Sequence, residues 1–152
     1  MNSSIFDTPL FSVFALVLIA ETLKTLVLGT ATAWTRGQLK QFINQEDAAW
    51  LGGETVVVEH PDPARLGRAH RNNLENLVPF LALGGIYLLS GAAPLMGMFY
   101  FGGFFLARAA HTAAYLTQRP LLRRNSYAAA WLILIVTGIH AGTRLIGQAL
   151  SL

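Results

Sequence analysis

Cysteine is absent from the chain. That excludes disulfide frameworks, thiolate metal sites and a thiol nucleophile supplied by the protein, so any thiol chemistry must use an external thiol. Charge is scarce as well. Only 12% of the residues are Asp, Glu, Lys or Arg, about half of the roughly 25% expected in a soluble domain. With 53% apolar residues and a mean hydropathy of +0.46, the composition describes a membrane bundle. No basic run or basic stripe is present either. The formal charge is +3, but the cations are interleaved with apolar segments, which excludes a nucleic-acid partner. The first apolar segment has no basic n-region and no small-residue cleavage site. It also exceeds the roughly 7–15 residue core of a signal peptide, so it is expected to be retained.

What remains is four apolar stretches, and the expectation is a single all-α, integral membrane four-helix bundle spanning residues 1–152. The helices are placed at about 10–34, 65–89, 94–116 and 126–148, with a long cytoplasmic loop at 35–64. Crossing a ~30 Å hydrocarbon core takes ~20 helical residues. The cleanly apolar part of the second segment, Leu77 to Leu89, is only about 20 Å long at ~1.5 Å per residue, so its helix must extend backward into polar sequence. Pro79 lies inside it and is expected to kink it. In the first segment Glu21 and Lys24 are three apart and can pair on one face. His140 in the fourth segment reads as a packed or interfacial histidine, and Arg144 is close enough to the end to snorkel. Small residues four apart, Gly138 with Gly142 and Ala109 with Ala113, allow close helix approach and are compatible with an oligomer.

Basic residues set the orientation. Arg36 and Lys40 fall in the first loop and Arg119, Arg123 and Arg124 in the third, while the second loop and both ends lack them. Both termini are therefore expected outside the cytoplasm. The thirty-odd residue first loop reads either as a lid or binding loop or as a disordered tether.

The informative residues are polar ones at membrane depth. Arg68, Arg71, Asn72 and Glu75 share one helical stripe, and Arg108, His111, Thr112 and Tyr115 repeat the spacing on the next helix. Charged groups at this depth usually face a bundle interior or an aqueous cavity and mark function. The topology brings Arg36, Arg68, Arg71, Arg108 and Arg124 to the cytoplasmic side with Glu75, His111, Tyr115, Asn72 and Asp47. The guanidinium groups outnumber the carboxylates, and Arg binds carboxylate bidentately. A small zwitterion with more than one carboxylate would satisfy the set, Glu75 taking its ammonium. The bland alternative is that these charges only pair with one another. A small transporter lacks the inverted repeats or broken helices of that class.

Two of these runs resemble a known family. Arg68-Ala69-His70-Arg71-Asn72-Asn73-Leu74-Glu75-Asn76, followed by Pro79-Phe80, is similar to the second-helix signature of the MAPEG family, membrane-associated proteins in eicosanoid and glutathione metabolism. Arg108-Ala109-Ala110-His111-Thr112-Ala113-Ala114-Tyr115-Leu116 resembles its third-helix signature, and the likeness extends from Arg36 to about Asn125. The resemblance implies a homotrimer with glutathione bound between subunits near the cytoplasmic face. By the same resemblance Arg36 would touch a glutathione carboxylate, and Arg71, Asn72, Glu75, His111 and Tyr115 would hold its backbone and charged ends. Arg68 and Arg108 would be outer contacts, and Arg124 would face the sulfur. The catalytic set implied is Arg124, Asn125 and Asp47. Asn125 stands where the isomerases of the family have serine, and the later helix-four tyrosine falls at Ala128, with Tyr127 one position away. These departures point to a glutathione transferase or peroxidase acting on lipophilic electrophiles or lipid hydroperoxides from the membrane lipid. The alternatives are a prostaglandin-E-synthase-type isomerase and a non-catalytic lipid-binding scaffold. No metal is implied, and the localisation expected is a bacterial inner membrane or the endoplasmic reticulum.

Overall fold

The computed structural model describes residues 5–151. After a 3-10 turn at Ile5–Asp7, α1 runs over Pro9–Leu39. Thr8 caps it by accepting from Phe11 N at 3.2 Å, with a proline in the first turn where no N–H is needed. The helix stops at Lys40, whose left-handed φ of 55° turns its N–H back onto the Arg36 and Gly37 carbonyls. The other long helices are α3 at Pro61–Leu89, α4 at Pro94–Leu116 and α5 at Pro120–Leu150, each with a proline in its first turn. The four pack against one another, with α3 touching all of the other three.

The first loop is shorter and more ordered than the sequence suggests. α1 continues beyond Trp34 and α3 begins before residue 65. Between them Gln41–Phe42 (β1) pairs in parallel with Glu54–Thr55 (β2), and a short helix α2 at Gln45–Leu51 bridges the two. The described residues thus hold five helices, not four. Phe42 is buried under this cap, and Gly53 is required there, because a Cβ would stand 2.4 Å from the Lys40 carbonyl oxygen. A disordered tether is therefore set aside in favour of a folded cap. The third loop also contracts: Arg123 and Arg124 lie in the first turns of α5.

The core has two halves. One is aromatic: Phe14, Phe80, Phe101 and Phe104 meet around the second half of α3, with Phe80 stacked on Phe104 at 4.5 Å and 7°. The other half is polar, with Glu21, Thr25, Asn73, Asn76, Arg108 and His111 buried. Outside, the distribution is inverted: Leu16, Ile19, Leu26, Val27, Val78 and Ile139 are exposed. Such a skin of leucine and valine around a polar seam is the opposite of a soluble bundle and fits lipid as the solvent. Among the described residues α1 and α5 are long and apolar enough to cross a membrane by length and composition.

Candidate active site

The polar seam is built from three helices. The Arg108 side chain, wholly buried on α4, donates from Nη2 to the Asn72 carbonyl at 3.2 Å, to Asn72 Oδ1 at 3.0 Å and to Asn73 Oδ1 at 3.4 Å. Asn73 in turn donates from Nδ2 to the Glu21 carbonyl at 3.2 Å and to Thr25 Oγ1 at 2.7 Å. Glu21 accepts from Lys24 Nζ at 2.8 Å, the pairing expected from their spacing. Arg108 Nε and Nη1 are buried with no partner among the described residues. Orphaned donors of this kind in a buried polar site call for water or an ion. Arg108 thus acts inside the bundle, clamping Asn72, and does not itself open onto the chain surface.

The stripe on α3 does not face the interior as expected. Ala69, Asn73, Asn76 and Phe80 form the buried face, while Arg68, Arg71 and Glu75 are exposed and Asn72 is half-buried. The reason is angular. Each residue is turned ~100° from its neighbour, so a stripe that starts one position before a core stripe lies on its flank. Carboxamides, which cost far less to bury than charges, take the core. On α4 the expected stripe does turn inward, with Arg108 and His111 buried and Thr112 and Tyr115 half-buried.

The sites expected to act together are distributed over three depressions of the single chain. Arg36 and Arg71 line a cavity of about 440 Å³ between α1 and α3. Glu75 lines a groove of about 250 Å³ between α3 and α5, with Pro79, Tyr127 and Trp131. Arg68 and Tyr115 line a third of about 280 Å³ at the end of the bundle. Arg36 is engaged by Glu59, Nε to Oε1 at 2.5 Å. Arg68, Arg71, Glu75 and Arg124 make no ion pair among the described residues. Arg124 is exposed on α5, its Nε directed to Asn125 Oδ1 at 3.4 Å. Asp47 lies in the first turn of α2 and accepts from Asn44 Nδ2 at 3.0 Å, and within one chain its helix packs chiefly on β1 and β2. His111 packs its ring 5.6 Å from Tyr115 and 6.0 Å from Tyr127, and the Arg123 guanidinium sits 4.7 Å over Tyr115.

Sequence reasoning assigned no site role to Asn73, Asn76 and Arg123. The first two were detectable, since they fall three and four residues from one another and from Ala69 and Phe80, the spacing of a core face. Tyr127, set one position off the family's tyrosine, nevertheless enters the groove that holds Glu75. His140 is packed as expected, edge-on to Tyr87 and Tyr100.

A sequence model of the MAPEG family matches residues 12–143. Over 132 residues the chain is 36% identical to prostaglandin E synthase of Homo sapiens, covering 86% of this chain and 87% of that protein. It is 38% identical over 122 residues to microsomal glutathione S-transferase 1 of Homo sapiens, covering 78% and 79%. The corresponding Rattus norvegicus transferase is 40% identical over 119 residues, covering 76% and 75%. The chain belongs to the MAPEG family, and with its apolar exterior and two spanning-length helices it is a membrane protein.

Proposed function

We propose that this is a glutathione-dependent membrane enzyme, a transferase and peroxidase that presents a glutathione thiolate to lipophilic electrophiles arriving from the bilayer. The observation that carries the reading is the unpaired, outward set Arg68, Arg71, Glu75 and Arg124 in a chain akin to proteins named microsomal glutathione S-transferase. Had those charges paired only with each other, no vacancy would remain for a zwitterion. They do not. Glutathione offers two carboxylates, one ammonium and the sulfur that the chain lacks. Arg36 and Arg71 suit the carboxylates, Glu75 the ammonium, Asn72, His111 and Tyr115 the polar backbone, and Arg124 the sulfur.

Because Arg36 lies in the depression on the α1 side of α3 and Glu75 in the groove on its α5 side, a second copy is taken to close them around one ligand, and a homotrimer is the assembly proposed. The four long helices are taken to cross the membrane, with both termini on the non-cytoplasmic side.

The chemistry follows from the thiol. A free thiol with a pKa near ~8.5 is only about 3% thiolate at pH 7, and a neighbouring guanidinium lowers such a pKa by roughly 1–3 units. A two-unit shift raises the thiolate about 25-fold. The thiolate sulfur then attacks an electrophilic carbon, a C–S bond forms and the leaving group departs with its electron pair, the thiol proton having gone to water. With a hydroperoxide the sulfur takes the distal oxygen, the alkoxide collects a proton, and a second glutathione yields disulfide and water.

The test is turnover of a chlorinated nitroaromatic and of a lipid hydroperoxide by protein purified in detergent. Arg124→Ala is expected to lose about 25-fold in rate at pH 7 with glutathione binding kept. The sign of the pH effect is fixed: the variant, lacking the cation, gains rate up to about pH 9 or beyond, while the wild type levels off near pH 7. A flat ratio across pH removes Arg124 from the sulfur. Complete absence of glutathione-dependent turnover sinks the enzymatic reading and leaves a lipid-binding scaffold. A second reading, isomerisation of a prostaglandin endoperoxide, is supported by the likeness to prostaglandin E synthase over 87% of that protein. Product analysis with the endoperoxide separates the two.

A further inference from the structure

The depression at the end of the bundle shares Arg68 and Tyr115 with the glutathione reading but adds two arginines, Arg65 and Arg123, that the reading does not need. Its walls are Arg65 and Arg68 from α3, Tyr115 from α4, Gln118 from the α4–α5 turn, and Pro120 and Arg123 from α5, enclosing about 280 Å³. Three guanidinium groups face it and no carboxylate lines it. Asp62, which pairs with Arg65, is 60% exposed and reaches it only at 3.4 Å. Arg68 and Arg123 have no acid partner among the described residues. Two features hold the cations in place. Arg123 is stacked on the Tyr115 ring at 4.7 Å. Arg65 donates from Nη1 and Nη2, at 3.2 and 3.1 Å, to the Gln118 amide oxygen when that amide is turned toward it.

Gln118 is held in the left-handed region, φ 58°, a conformation that costs a non-glycine residue roughly 1 kcal/mol or more and is kept where surrounding structure or function demands it. α5 begins at Pro120, and its N-cap residue Arg119 contributes no side-chain acceptor. The helix's positive end therefore adds to the same potential.

We infer that this cavity is a binding site for the phosphate of an anionic phospholipid, adjoining the proposed glutathione site through Tyr115 and Arg68 but with Arg65 and Arg123, which that reading does not use, as its principal ligands. Phosphate is the chemistry that a converging set of guanidinium groups recognises best. A free phosphate would be recognised by the same groups, but the surroundings favour the lipid. Leu116, Leu121 and Leu122 are exposed beside the cavity, 40%, 62% and 43% respectively. A charged mouth flanked by bare leucines is what a headgroup with attached acyl chains requires, and anionic lipid is concentrated at the cytoplasmic face where basic residues gather. Neither Arg65 nor Arg123 belongs to the set assigned to glutathione, so the two readings can fail independently.

The experiment uses delipidated full-length protein in neutral detergent, titrated with dansyl-phosphatidylglycerol, dansyl-phosphatidylcholine and inorganic phosphate. Phosphatidylglycerol is expected to bind at least about tenfold more tightly than phosphatidylcholine, consistent with two desolvated guanidinium contacts. The Arg65→Gln/Arg123→Gln pair is expected to abolish that preference, and Arg65→Lys/Arg123→Lys to keep part of it. Glutathione affinity, read on the same variants by calorimetry, reports both that they are folded and that Arg65 and Arg123 serve the lipid and not glutathione. The inference is overturned by equal affinity for the two lipids, by a preference that survives the glutamine pair, or by loss of glutathione binding in step with the lipid. Inorganic phosphate binding as tightly as phosphatidylglycerol also overturns it, by assigning the cavity to a soluble anion.

Discussion

Arg36 illustrates how a single side chain can be both ready for a ligand and occupied. Its Nε reaches Glu59 at 2.5 Å, and both partners are partly exposed, at 25% and 20%. If a glutathione carboxylate binds Arg36 as proposed, it must displace an internal one. Partly exposed pairs are worth about 0.2–1 kcal/mol, so Glu59→Gln is expected to tighten glutathione binding by roughly two- to fivefold, as measured by calorimetry. Unchanged or weaker binding would mean that Glu59 orders Arg36 for the ligand. Asn73 makes the contrasting case. Its carboxamide is fully buried and links Glu21 and Thr25 on α1 to Arg108 on α4. Asn73→Ala is expected to destabilise by about 1–2 kcal/mol, the upper range for buried polar contacts between membrane helices. A lowered midpoint in thermal unfolding in detergent checks it. The Glu21–Lys24 pair was legible in the sequence because its three-residue spacing needs nothing from the rest of the fold. The direction of Arg71 and Glu75 was not, since periodicity defines which residues share a stripe and is silent on which stripe faces the core. That choice was made by the competition between Asn73 and its charged neighbours for burial.

At the level of elements, helix ends and glycines decide the geometry. Proline in the first turn and an extended Thr8 cap mark the start of α1. The start of α5 was misjudged because Arg123 and Arg124 look like loop residues, whereas Pro120 had already fixed the helical entry. The first loop reads from sequence as a lid or a disordered tether because β1 and β2 have two residues each, too short for any alternation of apolar and polar positions to register. Gly84 and Gly85 on α3 offer a paired test of helix packing. A Cβ at Gly84 would stand 2.6 Å from Phe14 Cε2, whereas at Gly85 nothing lies within 4 Å. Overpacking costs about 1–3 kcal/mol, against a helix-propensity gain near 1 kcal/mol for replacing glycine. Gly84→Ala is therefore expected to lower the thermal midpoint and Gly85→Ala to hold or raise it. If both variants gain stability, α1 and α3 are less tightly apposed than the Phe14 contact implies.

For the whole molecule, the proposed site residues are spread over separate faces of one chain. Arg36 and Arg71 open on the α1 side of α3, Glu75 and Tyr127 on the α5 side, and Arg124 stands exposed beyond both. If a ring of identical subunits closes these surfaces on one another, each site takes Arg36 from one copy and Arg124 from the next. Arg36→Ala and Arg124→Ala are each expected to impair every site of their own homo-oligomers, Arg124→Ala to roughly one twenty-fifth of the wild-type rate at pH 7. Co-expressed in equal amounts, they assemble at random. A site is then intact only where the copy supplying Arg36 carries the Arg124 change and the copy supplying Arg124 carries the Arg36 change. The two conditions have a probability of one half each, so the mixture recovers about one quarter of wild-type turnover for any closed ring. Purified mixed oligomers assayed with glutathione and a chlorinated nitroaromatic give the number. Recovery no higher than that of the single variants would instead require both arginines to come from the same copy, leaving Arg36 and Arg124 to be joined by a rearrangement of the β1–α2–β2 cap over α5 within a single chain.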